Sequence, residues 1–333
     1  MSVRQRSEVQ ALPRKSRSIC VAATCRTVLN CRASQGLGFS CDGNLGAREH
    51  AALFQRDSGE FPCHWAESLG GPMSPSHPPS ALDIARLPRE RAREIAVAEL
   101  DAMLALLGAL DSDAWSQPTD CDEWDVFKLV SHLAGTCEDS AHINRLIRRF
   151  FKALRVKGVD LVDAMNASQV DERRGLTPTE LVAEMNSLGP KAVRVRAKMP
   201  APLRAVRIPL GGLGVISVAY LNDILYVRDM WAHRIDISLA IGREPEYFGH
   251  EKDIIEQVLL DLGTKWQARP CVLELEGYVT GDWSLGEGEP LATATVDCVD
   301  YMRTLSGRND EPLIAVEGDV KAADDVAAAR VLF

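Results

Sequence analysis

The chain lacks any apolar run approaching the roughly 20 residues a helix needs to span a bilayer, so no membrane-crossing segment is expected. It also lacks an excess of basic charge: 38 Lys+Arg stand against 47 Asp+Glu, a formal net charge of -9 at pH 7. Backbone binding of nucleic acid wants a basic footprint, so nucleic acid is not an expected partner. No repeat recurs at a period of roughly 20 to 50 residues, which argues against a solenoid or propeller. What is there is 333 residues at 46% hydrophobic and 26% charged, enough for a soluble protein of two domains with real cores.

Residues 1–80 lack helical or strand periodicity as far as "GGPMSPSHPPS". They carry nine Lys+Arg against six Asp+Glu, a net of +3, which leaves -9 minus +3, or -12, on the rest. Five of the nine cysteines (Cys20, Cys25, Cys31, Cys41 and Cys63) fall there. A secreted disulfide scaffold does not follow, because the continuous apolar stretch of a signal peptide is missing: "ICVAATC" is short and Arg26 comes directly after it. The expectation is a disordered or over-extended N-terminal segment, with Met73 as the real initiator. The remaining cysteines, Cys121, Cys137, Cys271 and Cys298, show no paired metal spacing and read as packing residues.

From Ala81 the pattern becomes regular. Ile95, Leu100, Met103, Leu104, Leu107 and Leu110 recur at helical spacing. Asp125 is placed to cap a second helix, with Val126, Phe127, Val130, Leu133 and Ala134 toward a core and His132 about two turns in. "LTPTELVAEMNSL" opens a third, with Thr177 as cap, Pro178 first and Glu180 completing a capping box. "IPLGGLGVIS" reads as a loop, and "VAYLNDILYVRDMWAHRIDISLAIG" as a long fourth helix ending at Gly242. Four helices with moderate connections form a bundle over residues 81–243. Beyond "GREPEYFGH" helices alternate with strand-like "CVLELEG", "ATATVDC" and "PLIAVEGDV", a small α+β domain over 250–333. A chain cut near Arg243 is therefore expected to fold as a bundle.

The fourth helix carries the chemistry. Spacing its residues about 100° apart groups Asn222, Tyr226, Asp229, His233 and Asp236 on one stripe, opposite Ile224, Val227, Trp231 and Ile235. A solvated face is normally filled with Lys, Arg and Glu, and this stripe has none, which points inward. Spacing alone leaves a metal-binding face and an ordinary polar stripe both open. A third ligand must come from elsewhere, and His132 is better placed than His77, His142 or His250. By itself His132 reads as a buried, hydrogen-bonded core histidine. Two His and one carboxylate would leave a coordination position open, as in catalytic rather than structural zinc sites.

"WSQPTDCDEWDVFKLVSHLAG" (115–135) resembles the opening signature of the mycothiol-dependent maleylpyruvate isomerase family, whose bundle belongs to the DinB-like metal enzymes. "RDMWAHRIDISLAIGR" (228–243) resembles that family's second signature, while "DYMRTLSGR" and the closing "VEGDVKAADDVAAARVLF" resemble its sterol-carrier-like C-terminal domain. The resemblance covers roughly 85–333, in order. It implies His132, Asp229 and His233 as ligands of a divalent metal, zinc in the first instance. Asp236, three residues beyond His233, is expected to orient an imidazole. The resemblance also implies that Arg308, in "SGR", can reach the active site; an arginine satisfying helix-end carbonyls is the other reading. Asp229 stands where the family commonly has Glu, and Asp122 and Glu123 replace a frequent Pro-Gly.

The implied activity is an actinobacterial, cytoplasmic isomerase or S-transferase with mycothiol as thiol cosubstrate and a small electrophile as substrate. A metal-dependent hydrolase using water, or a non-catalytic small-ligand binder, are the alternatives from other classes.

Overall fold

The Ile95-to-Leu107 periodicity is α1 (Arg89–Gly108), which buries Ile95, Leu100, Met103 and Leu107 and stops before Leu110. Asp125 accepts a hydrogen bond from the Lys128 backbone N–H and opens α2 (Val126–Ala141). Thr177 and Glu180 close the expected capping box later in the chain, at the head of a helix that begins with Pro178. Each cap satisfies N–H groups that have no acceptor inside the helix. The computed structural model describes residues 78–333 save 122–123, 210–213 and 310–311. The expectations for residues 1–72, Met73 and His77 lie outside the described residues.

Two further helices stand between the second and third expected ones: α3 (Ile143–Ala153) and α4 (Leu161–Asp171), the latter capped by Asp160. His142 is the extended break between α2 and α3, at φ -140° and ψ 90°. α5 (Pro178–Lys198) and a short α6 (Ala201–Arg204) follow. The expected loop at "IPLGGLGVIS" contains a hairpin, β1 (Arg207–Pro209) against β2 (Val215–Ser217), with Ile208 opposite Ile216. α7 (Val218–Tyr220) runs through a π turn at Leu221–Leu225 into α8 (Tyr226–Ala240), and Gly242, at φ 67°, takes the left-handed conformation just beyond. α1, α2, α5 and α8 pack as the four-helix bundle, with α3 and α4 against α2.

The C-terminal part is α9 (Glu251–Lys265), β3 (Cys271–Glu276), β4 (Gly281–Leu285), β5 (Ala292–Asp297), α10 (Cys298–Leu305), β6 (Ala315–Gly318) and α11 (Lys321–Ala328). The sheet order is β4-β3-β5-β6, with β3 and β5 parallel and both edge pairs antiparallel. The fold class is α plus α+β. Alternate residues of β3 and β5, among them Leu273, Leu275, Ala294 and Val296, face the core.

α8 is the element both parts share. Every residue from Val227 to Ser238 is buried. Val227, Trp231 and Ile235 pack into one hydrophobic cluster with α9 and the sheet, while Met230 and Ile237 pack into another with α2 and α5. The described residues accordingly belong to one compact unit. A cut near Arg243 would therefore uncover Val227, Trp231 and Ile235.

Candidate metal centre

α2 and α8 bring His132, Asp229 and His233 together, all buried. Asp229 sits between the imidazoles, Oδ2 at 3.5 Å from His132 Nε2 and Oδ1 at 3.3 Å from His233 Nε2. One ligand atom from each residue lies within 4.8 Å of the other two. The two rings cross at 80° with centroids 5.6 Å apart, and Trp124 lies against His132 at 5.2 Å.

His132 Nε2, Asp229 Oδ1 and His233 Nε2 are buried without a hydrogen-bond partner. Leaving such atoms unsatisfied costs about 1–3 kcal/mol each, so three converging on one point call for an explanation. A divalent cation bound by nitrogen and oxygen fits that donor set, two imidazoles and a carboxylate with room for exchangeable ligands.

The far side of each ring is held. His132 Nδ1 lies 2.8 Å from Gln169 Oε1. Gln169 donates its Nε2–H to Asp139 Oδ2 at 2.8 Å, which fixes which end of the amide faces the histidine. Arg149 in turn pairs with Asp139, with Glu138 at 3.0 Å and with Glu172 at 2.6 Å. Gly135 makes this approach of α4 to α2 feasible, since a Cβ there would sit 2.4 Å from Gln169 Cβ. His233 Nδ1 lies 3.0 Å from Asp236 Oδ2, and Arg308 Nε donates to both Asp236 oxygens at 3.0 and 2.9 Å. An acceptor on Nδ1 makes that nitrogen the N–H and turns the Nε2 lone pair toward the centre.

The charges are mutually dependent. Burial alone would raise the Asp229 carboxyl, yet the His233 and His132 imidazoles beside it hold it well below the usual range. Burial opposes charge on His233, and the Asp229 carboxylate overrides it and raises the imidazole well above its ordinary value. A proton on Nε2 and a metal therefore compete for one lone pair. Asp236 is likewise pushed up by burial and brought down further by Arg308 and His233.

The rest of the expected stripe goes elsewhere. The π turn inserts an extra residue, so the simple helical projection fails N-terminal to Tyr226. Asn222 donates to Met199 Sδ at 3.3 Å, and Tyr226 carries the Arg196 guanidinium 3.7 Å above its ring. Arg308 stands on the Nδ1 side of His233, 3.5 Å from that nitrogen, and so contacts the orienting acid rather than the three converging atoms.

Sequence reasoning missed Gln169, Asp139 and Cys121. Asp139 had a signal, seven residues and therefore two turns from His132 on one helix face. Gln169 rides on α4, which the pattern did not reveal. Cys121, read as packing, places Sγ 3.5 Å from Asp236 Oδ2 and 3.8 Å from His233 Nδ1.

A buried two-histidine, one-carboxylate centre inside a helical bundle, joined to a small α+β part, defines the class. Residues 96–238 match the family described as the mycothiol maleylpyruvate isomerase N-terminal domain. That match includes His132, Asp229 and His233 and stops short of Arg308. The crystal structure of the mycothiol-dependent maleylpyruvate isomerase superposes with a TM-score of 0.50 at 14% identity, covering 70% of this chain and 95% of that chain. A point mutant of that enzyme gives the same score and coverage at 13% identity. The likeness to these two is one of fold. No curated protein matches the chain.

Proposed function

We propose that the chain is a metal-dependent, mycothiol-using isomerase or S-transferase acting on a small electrophile. The observation that carries this reading is the trio of orphaned atoms, His132 Nε2, Asp229 Oδ1 and His233 Nε2, inside a bundle that matches this family. In this reading those three residues hold a divalent metal, with zinc suited to the donor set. A metal there would supply positive charge that favours the thiolate form of a thiol brought from solution.

The chain's own groups then have defined tasks. Gln169 and Asp236 hold the imidazoles in the tautomer that aims Nε2 inward. Arg308 holds Asp236 and is a positioning residue. Trp124 and the surrounding apolar bundle exclude water from the His132 side. In the isomerase outcome the thiolate adds across a cis double bond, forming a C–S bond and leaving a single bond that rotates. Expulsion of the same thiolate restores the double bond as trans, so no thiol is consumed. In the transferase outcome the C–S bond is kept and one thiol is consumed per turnover.

The test is metal analysis of the purified protein, followed by assays of electrophilic alkenes, maleylpyruvate first, with mycothiol or glutathione and with or without chelator. Turnover should need both metal and thiol and prefer mycothiol. Thiol consumption then separates transfer from isomerisation. Turnover undiminished when thiol is omitted would replace this reading with hydrolysis by water.

A further inference from the structure

Residues 140–159 contain six Lys or Arg and no acid, in a chain whose net charge is -9. Most of this stretch is α3, and the helix has three distinct faces. Spaced about 100° apart, Arg149 and Ala153 point one way, Ile143, Ile147, Phe150 and Leu154 another, and Arg145, Arg148, Lys152 and Arg155 a third. The inward face is the polar one: Arg149 is 1% exposed and held by Glu138, Asp139 and Glu172. The apolar stripe lies outside, with Ile143 66%, Leu154 56% and Phe151 53% exposed. Rolling the helix to bury that stripe would break the carboxylate cage around Arg149, so the cage pins the apolar side chains in solvent.

Cationic heads lie beside them. Arg145 reaches Glu138 at 3.4 Å and Lys152 donates to Ser168 at 3.0 Å, while Arg148, Arg155 and Lys157 extend from the exposed surface. Exposed Val156 and Val159 continue the apolar strip past the helix end. An amphipathic helix with Phe, Ile and Leu on one side and Lys/Arg on the other, without acids, is complementary to a surface that is apolar beneath and anionic above. We infer that α3 docks the protein reversibly on an anionic lipid surface, Phe151, Ile147 and Leu154 entering the headgroup boundary and Arg148, Arg155 and Lys157 meeting lipid phosphates. No helix among the described residues is long and apolar enough to cross a membrane, which fits a helix lying on one. The inference stands apart from the proposed chemistry.

The test is co-sedimentation of the full chain with vesicles of phosphatidylcholine alone and of phosphatidylcholine mixed with phosphatidylglycerol. Binding should require the anionic lipid and weaken as salt is raised, because the Debye length falls. Arg148→Gln with Arg155→Gln should lower the partition coefficient by roughly 25-fold, at about fivefold per charge removed. Ile147→Ser with Phe151→Ser should lower it comparably. All four side chains are exposed, so the variants should keep the parent's thermal melt and metal content. Equal binding to neutral vesicles, no binding to either, or binding that both paired variants retain would overturn the assignment. A concentration-dependent dimer that Phe151→Ser dissolves, in protein that ignores vesicles, would give the face to a second copy instead.

Discussion

Two buried clusters that α8 contacts have nearly the same ingredients and opposite characters. His132, Asp229 and His233 form one; Glu99, His250 and Glu251 form the other, and each offers three ligand-type atoms within 4.8 Å. In the second, Arg234 already supplies the cation. It donates to Glu99 at 2.7 and 3.1 Å, to Glu251 at 2.8 Å and to the Glu246 carbonyl at 2.6 Å, while His250 lies 2.8 Å from Glu99. Among the described residues that cluster leaves no buried side-chain atom without a partner, whereas the first leaves three. Composition and burial therefore do not mark a metal centre. What sets the first cluster apart is that its ligand atoms converge without a guanidinium or other hydrogen-bond partner to hold them.

The largest effect expected follows from where the second cluster lies. Its Glu99 comes from α1 and its His250 and Glu251 from the start of the C-terminal part, alongside the core that Val227, Trp231 and Ile235 share with α9 and the sheet. Cutting the chain near Arg243 removes all of that cover, at about 1.5–3 kcal/mol for each large apolar side chain exposed. Loss of a cooperative thermal transition is expected. A truncated bundle that melts cooperatively and keeps its metal would mean the two clusters belong to independent domains.

Next come exchanges of effect between the clusters. Asp229→Ala or His233→Ala should reduce metal affinity by more than about 100-fold, beyond what an outer partner gives, with modest loss of fold. Glu99→Ala should leave metal content intact but destabilise by about 3–5 kcal/mol, because it strips Arg234 of a partner in the interior. Metal content by mass spectrometry and urea melts on the same samples read both. The reverse pattern would move the metal centre to the second cluster.

How much of this contrast the sequence held depends on how local each determinant is. The caps at Asp125 and Thr177, the acid-to-histidine spacing on α8 and the alternation in β3 and β5 are set by neighbours in the chain, and all appear where expected. α3 was legible as a helix, since Ile143, Ile147, Phe150 and Leu154 recur at helical spacing, but that its apolar stripe faces outward was not. β4 is short and spans a Gly, an Asp and a Trp, too little alternation to read. Gln169, Cys121 and the Arg234 network depend on contacts more than thirty residues apart or across elements, which periodicity does not encode.

Outer partners should give intermediate effects. Gln169→Leu removes the acceptor on His132, and Asp236→Asn weakens the one on His233, so each should cost about 10–100-fold in metal affinity. Arg308→Gln should cost less, since Asp236 still contacts His233 without it. Chelator competition measures all three. If Gln169→Leu and Asp236→Asn bind metal as tightly as the parent, the orienting bonds are incidental.

The smallest effect is a divergence of stability with pH, and its sign comes from the two opposed shifts. His233 is raised, so its pairing with Asp229 stabilises fully below the unfolded imidazole value of about 6.5 and is lost as pH climbs through the raised folded value. Asp229 is lowered, so its contribution is present above the unfolded carboxyl value of about 3.9 and is lost only as pH falls toward the depressed one. Protein stripped by chelator should therefore draw most from this pair between those two unfolded values. Metal must displace the His233 proton, so its stabilisation should grow with pH, by up to about 1.4 kcal/mol per pH unit below the raised value. The gap between melts with and without chelator should widen as pH rises past about 6.5, and Glu99→Ala should shift both curves without changing the gap. A gap that stays constant with pH would mean that metal and the His233 proton do not compete, and the cation would have to sit elsewhere.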